Sequence, residues 1–270
     1  LQTYEIDAEN VKLIRVADAA IFPDSSFVKI SRGGKINTLK NAAIIADTAR
    51  QYHTIERADI DITSRFRMSG KGFYQYKSGT ETVQEVPLIS ISVDSARHTV
   101  ATGSIPESLK FMLNPHFAFR GKMDMNSSRK ELEFDGGFKT QDECYPGMLK
   151  YWVAFDAWIN PDSVRIPVQP PVRDMEGRRV DLALQMSDSE DDIYSSWFTL
   201  KKYPKDSAIV APAGEIYFDE WRGSYRIDQS KDKKLPGFEF NPRSCSFITA
   251  GEHNLGLKLD YVSLVSYGDV

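Results

Sequence analysis

Hydrophobic and polar residues alternate with a period of two along most of this chain. The clearest instance is residues 117–137, FAFRGKMDMNSSRKELEFDGG. Phe117, Phe119, Gly121, Met123 and Met125 fall on every second position with Arg120, Lys122 and Asp124 between them, the pattern of a half-buried β-strand. A polar run, Asn126 to Arg129, turns the chain. Leu132 and Phe134 then alternate with Glu131, Glu133 and Asp135 until Gly136-Gly137, which predicts the end of the second arm.

The same period predicts further strands. Residues 40–50 fit either a helical stripe through Leu39, Ala43, Ala46 and Ala49 or a strand over Ala42 to Ala46, and the clear strand that follows favours the latter. In that next strand Ile55, Ala58, Ile60 and Ile62 oppose Asp59 and Asp61. A turn at Ser69-Gly70 leads into an aromatic strand, Gly72 to Tyr76. Ile89, Ile91 and Val93 share one face against Ser90, Ser92 and Asp94. Tyr151, Val153, Phe155, Ala157 and Ile159 share another, with Trp152 and Trp158 on the reverse. Pro161, Pro167, Pro170 and Pro171 mark an edge strand or linker, since proline cannot donate to a ladder. Ile216 and Phe218, then Tyr225 and Ile227, predict a second hairpin around Glu220 to Gly223, and Leu255, Leu257 and Leu259 a last strand. No long amphipathic helix is visible. The fold class expected is all-β, made of antiparallel hairpins forming a stacked jelly-roll, a short β-solenoid or a sandwich. The proline-rich stretch and the Pro146-Gly147 loop place a boundary between a β-rich domain at 1–147 and another at 148–270, continuous with the first or separate from it.

Composition narrows the partners. At 270 residues the chain can bury a substantial core. A net charge of -4 comes from well-mixed signs with no basic stripe along the sequence, so nucleic acid is not an expected partner. No apolar window is long enough to predict a transmembrane segment. The chain opens on Leu1 rather than Met, which suggests a processed protein or a piece of a longer one, exported after removal of a signal peptide. Cys144 and Cys245 have no second thiol or histidine at zinc spacing, and sequence leaves their pairing open.

Candidate chemistry is sparse. Asp59 and Asp61 share a strand face about 7 Å apart and so resemble a glycosidase carboxylate pair, although paired acids on a wet face are the commoner reading. Asp188, Glu190, Asp191 and Asp192 form an acidic run with oxygen ligands for calcium, but without the spacing or glycine of an EF-hand loop. His53, His98, His116 and His253 lie in no metalloprotease arrangement, and neither a Gly-x-Ser-x-Gly elbow nor a phosphate-cradling loop is present. No cofactor is expected. Trp152 and Trp158 on one strand, and Trp221 with Tyr225 at a hairpin tip, offer planar rings that stack on sugars.

The phrases GKMDMNSSRKELEFDGG, AGEIYFDEWRGSYRI and AGEHNLGLKLDYVSLVSYG resemble the hairpins of OstA-like β-jelly-roll repeats of the lipopolysaccharide-transport type. They follow a recurring glycine-then-Lys/Glu start at Gly34, Gly70, Gly121, Gly214 and Gly251. The overall texture is similar to large β-rich envelope proteins of Bacteroidetes. The resemblance implies an apolar interior lined by residues such as Phe119 and Met123 that binds acyl chains, and it supplies no catalytic residue. The proline-rich segment has no counterpart in a regular stack. The leading expectation is a non-enzymatic binding or structural module of a bacterial cell envelope, contacting a glycan, a lipid or, through open strand edges, a partner protein. The alternatives are a polysaccharide-active enzyme using carboxylates from separate strands and a lipid carrier of the OstA-like type.

Overall fold

The computed structural model describes residues 4–6, 13–24, 28–31, 35–47, 50, 53–78, 83–142, 152–168, 173–177, 180–185, 194–200, 214–228, 231, 237–243, 246–250 and 258–259. Cys144, Cys245, Asp188, Glu190, Asp191 and Asp192 lie outside the described residues. The described residues are all-β with antiparallel strand pairing, and the one helical element among them is a 3-10 turn at Glu107–Leu109. No helix among the described residues is long and apolar enough to cross a membrane.

The strands are β1 (Tyr4–Ile6), β2 (Ile14–Val16), β3 (Ala19–Phe22), β4 (Val28–Ser31), β5 (Lys35–Ala46), β6 (His53–Ser64), β7 (Arg67–Tyr76), β8 (Gln84–Val93), β9 (Thr99–Ile105), β10 (Met112–Asn114), β11 (Phe117–Asn126), β12 (Leu132–Thr140) and β13 (Val153–Ile159). They form one sheet in the order β1-β4-β5-β6-β7-β8-β9-β11-β12-β13, with β2, β3 and β10 attached beside it. A second sheet follows, β14 (Ile166–Val168), β17 (Gly214–Asp219), β18 (Ser224–Ile227), β19 (Gly237–Asn241), β20 (Ser246–Ala250) and β21 (Lys258–Leu259), in that order. Among the described residues β15 (Val180–Gln185) and β16 (Tyr194–Leu200) pair with each other as a separate two-stranded sheet.

Packing divides the chain into two units, residues 1–111, 121–134 and 158–163 in the first and 112–120, 135–157 and 164–270 in the second. The first unit buries Leu39, Ile44, Ile55, Ile60, Val86, Leu88 and Met123 between its strands. Tyr76, Phe111 and Phe134 meet there with ring centroids 4.8 to 6.3 Å apart, within the range of favourable edge and tilted contacts. In the second unit Phe117, Phe119, Phe138, Phe155, Tyr225 and Phe240 form a chain of ring contacts spaced 5.5 to 6.2 Å.

Residues 40–46 are strand, as the alternation favours, and the 216–227 hairpin pairs Phe218 with Tyr225 and Ile216 with Ile227. β14 is an edge strand and carries Pro167, where a missing N–H does least harm. Three expectations fail for local reasons. The chain does not turn at Ser69-Gly70: β7 runs through it and the turn is at Arg65-Phe66. Gly70 and Gly72 are there because a Cβ on Gly70 would stand 2.3 Å from the Asp59 carbonyl, and one on Gly72 2.9 Å from Ala58 Cα. Gly136-Gly137 does not end β12, since Met175 Sδ and Trp152 Cβ sit 2.6 and 3.1 Å from where a Gly137 Cβ would be. Ile89 does not share the face of Ile91: a bulge between Leu88 and Ser90 turns Ile89 outward, 56% exposed, while Leu88 and Ile91 are buried.

Bulges also explain β5 and β6. Asn41 and Arg57 take left-handed backbone, φ 52° and 51°, in neighbouring strands. Each inserts a residue and flips the parity, so Ile55 is buried with Ala58 and Ile60 although their numbers differ in parity. The recurring glycine phrase marks no common element. Gly70 and Gly121 lie within strands, Gly214 opens one, and Gly34 and Gly251 lie outside the described residues.

Candidate functional site

The second unit holds a polar cleft of about 260 Å³ lined by His116, Asp142, Phe218, Glu220, Gly223, Pro242 and Arg243. The Asn114-Pro115-His116 turn between β10 and β11 sets the histidine, because the Asn114 side-chain oxygen accepts the N–H groups of His116 and Phe117 at 3.0 and 3.1 Å. The imidazole stacks on Phe218 of β17, centroids 3.3 Å apart and planes 10° from parallel. Its Nδ1 faces Asp142 at 3.5 Å and its Nε2 faces Glu220 at 3.2 Å, so one ring lies between two carboxylates carried by different segments. Asp142 follows β12 and Glu220 follows β17.

Tyr225 anchors Asp142 from below. Its hydroxyl donates to the Asp142 carboxylate and approaches the His116 carbonyl at 3.1 Å, while the N–H groups of Gln141 and Asp142 each donate to it at 3.3 Å. Burial pushes the phenol well above its usual range, and the neighbouring Asp142 carboxylate adds to the effect, so Tyr225 stays protonated as a donor. Beside the cleft, the turn Glu220-Trp221-Arg222-Gly223 closes through the Gly223 N–H to the Asp219 carbonyl at 2.8 Å, with Gly223 at φ 63°. Asp219 accepts the Arg222 N–H at 3.1 Å and faces Arg226 at 3.5 Å, which stiffens the tip. Trp221 projects from it 89% exposed.

The other sequence candidates fall in several places. Asp59 and Asp61 are exposed on β6, where Asp59 accepts the Asn41 N–H at 3.1 Å and Asp61 accepts the Thr38 hydroxyl at 2.6 Å, so both tie β6 to β5. Tyr225, expected at a hairpin tip with Trp221, is fully buried in the aromatic core instead. Phe119 and Met123 are buried too, Phe119 against Phe155 at 5.6 Å. Trp152 and Trp158 belong to different units. The Trp152 ring is approached by Arg120 at 4.8 Å and Lys139 at 4.7 Å, and Trp158 by Arg129 at 4.5 Å, each within cation–π range.

Sequence reading singles out Trp221 as a ligand contact and passes over His116, Asp142, Phe218 and Arg243 as site residues. Only the Asn-Pro turn before His116 was a usable signal, since the cleft is assembled from segments a hundred residues apart in sequence. Among the described residues no group of three or more His, Cys, Asp or Glu is arranged to hold a metal ion. No family model, no curated protein and no solved structure matches the chain.

Proposed function

We propose that this protein is a non-enzymatic binding module of a bacterial cell envelope and that its second unit holds a glycan against the cleft beside Trp221. The observation that carries this reading is the pairing of a solvent-facing indole with a polar cleft. Trp221 is 89% exposed on a stiffened tip, and its neighbours Glu220 and Gly223 line the same cleft as His116, Asp142 and Arg243. A sugar ring offers an apolar face to the indole and hydroxyls to carboxylates, imidazole and guanidinium, and the site presents both kinds of group. The envelope placement rests on the OstA-like phrasing of the hairpins. Binding to a panel of bacterial polysaccharides is the test, and stacking of this kind makes Trp221→Ala weaken the positive member about 3- to 10-fold. Binding unchanged by Trp221→Ala would overturn the reading.

A second reading draws support from Asp142 and Glu220, which follow separate strands and flank one histidine in a cleft. That is the kind of arrangement a polysaccharide-active enzyme would use. It predicts turnover of the bound glycan, abolished by Asp142→Asn or Glu220→Gln with binding retained. Binding without turnover in the intact chain leaves the first reading standing.

A further inference from the structure

We propose that the first unit carries a contact surface for anionic lipid headgroups where several of its turns converge. The convergence is held by hydrogen bonds. The Ala17 N–H of the β2–β3 turn donates to the Arg65 carbonyl of the β6–β7 turn at 2.9 Å. Asp18, next in that turn, accepts the N–H and hydroxyl of Thr99 at the start of β9, at 2.9 and 2.6 Å, and the hydroxyl of Ser127 in the β11–β12 turn. The β8–β9 turn joins them through Arg97, whose guanidinium lies 4.4 Å from the Phe66 ring.

Charge at this end is divided in a consistent way. Acids near these turns are engaged within the protein: Asp18 as described, Asp94 by the His98 N–H at 2.8 Å and the Asn126 amide at 3.4 Å, and Asp47 by Arg50 at 4.0 Å. The arginines point outward. Arg15, Arg65, Arg67, Arg97 and Arg129 are exposed, and none forms an ion pair among the described residues, although other arginines of the protein do. Arg65 and Arg97 flank Phe66 at 5.5 and 4.4 Å, and Phe66 itself is 40% exposed at the tip of a two-residue turn.

An exposed phenyl flanked by two guanidinium groups that form no ion pair among the described residues is suited to a headgroup layer. The guanidinium forks match phosphate oxygens, and the ring enters the interface between headgroups and acyl chains. A compact soluble anion would use the charges but give Phe66 no role. In a chain of net charge -4, arginines that form no ion pair among the described residues favour contact through these turns over contact elsewhere, so it is oriented as well as attractive. This surface lies wholly in the first unit and does not rest on the glycan reading.

Co-sedimentation of the full chain tests it, using phosphatidylcholine vesicles and vesicles in which phosphatidylglycerol replaces part of the phosphatidylcholine. The protein is expected to sediment with the anionic vesicles only, and less as salt is raised. Each arginine removed is expected to weaken partition about 5-fold, and Arg65→Ala, Arg67→Ala and Arg97→Ala together about 100-fold. Arg97→Gly guards against loss of fold, because Arg97 sits at φ 69°, where glycine is at ease; it is expected to fold and still lose about 5-fold. Phe66→Trp is expected to give a blue-shifted emission on anionic vesicles. Equal sedimentation with pure phosphatidylcholine, an Arg97→Gly variant that folds and binds as before, or retention of inorganic phosphate without vesicle binding would each overturn the proposal.

Discussion

Tyr225 shows how one side chain couples core to cleft. Its ring packs against Phe117, Phe218 and Phe240, while its hydroxyl meets the Asp142 carboxylate, the Gln141 and Asp142 N–H groups and the His116 carbonyl. Tyr225→Phe keeps the ring and leaves those groups without their partner. The expected loss is about 1–3 kcal/mol in denaturant unfolding, with greater freedom of the His116 ring visible in its NMR signals. At Gly70 the constraint is backbone: Gly70→Ala places a methyl 2.3 Å from the Asp59 carbonyl, which cannot swing away. We expect a loss of about 1–3 kcal/mol, read from the unfolding midpoint. Neither residue's role was visible in the sequence. Tyr225 belongs to an alternating strand whichever way its ring points, and a glycine before lysine reads as a turn unless the facing strand is known.

At the scale of elements, alternation located the strands and the bulges misplaced some of the faces. Period-two reasoning holds from Phe117 to Met125, where no residue is inserted, and fails at Ile89, where one is. Nothing in Leu88-Ile89-Ser90 announces an extra residue, because a bulge is fixed by the pairing partner as much as by its own sequence. The turns obey local chemistry more closely. The two-residue β2–β3 turn has Ala17 at φ 52°, a position that favours glycine when it leads such a turn. Ala17→Gly should therefore stabilise the protein by about 0.5–1 kcal/mol, seen as a raised melting temperature, and a lowered one would mean that the Ala17 methyl has a packing role.

For the molecule as a whole, pH acts through a buried histidine. His53 is 1% exposed, with Nδ1 2.9 Å from the Tyr74 hydroxyl and Nε2 2.6 Å from the Arg129 carbonyl. Burial holds its pKa below the ordinary 6.5, against the opposing pull of the Arg129 carbonyl and of Asp47 and Asp18. The unfolded chain therefore binds this proton more readily than the folded one. The stability that depends on a neutral His53 is complete above about pH 6.5 and is lost as pH falls below it, at up to about 1.4 kcal/mol per pH unit. Melting temperatures taken from pH 7.5 downward should show the decline, with a shallower slope for His53→Gln, and equal slopes would remove His53 as the cause.

The Asp18 carboxylate has a consequence for how the protein is made. Its partners Thr99 and Ser127 follow it by 81 and 109 residues, and the same unit takes in Pro161 and Asp162 through Ser78 and Lys130. A chain emerging from the ribosome thus holds the β2–β3 hairpin for more than a hundred residues before the last of the groups that fasten its turn exists. Closure over such separations is slow. For that interval the early strands depend on whatever shields their edges in the cell, and a chain halted before Ser127 is expected to be found with chaperones rather than folded.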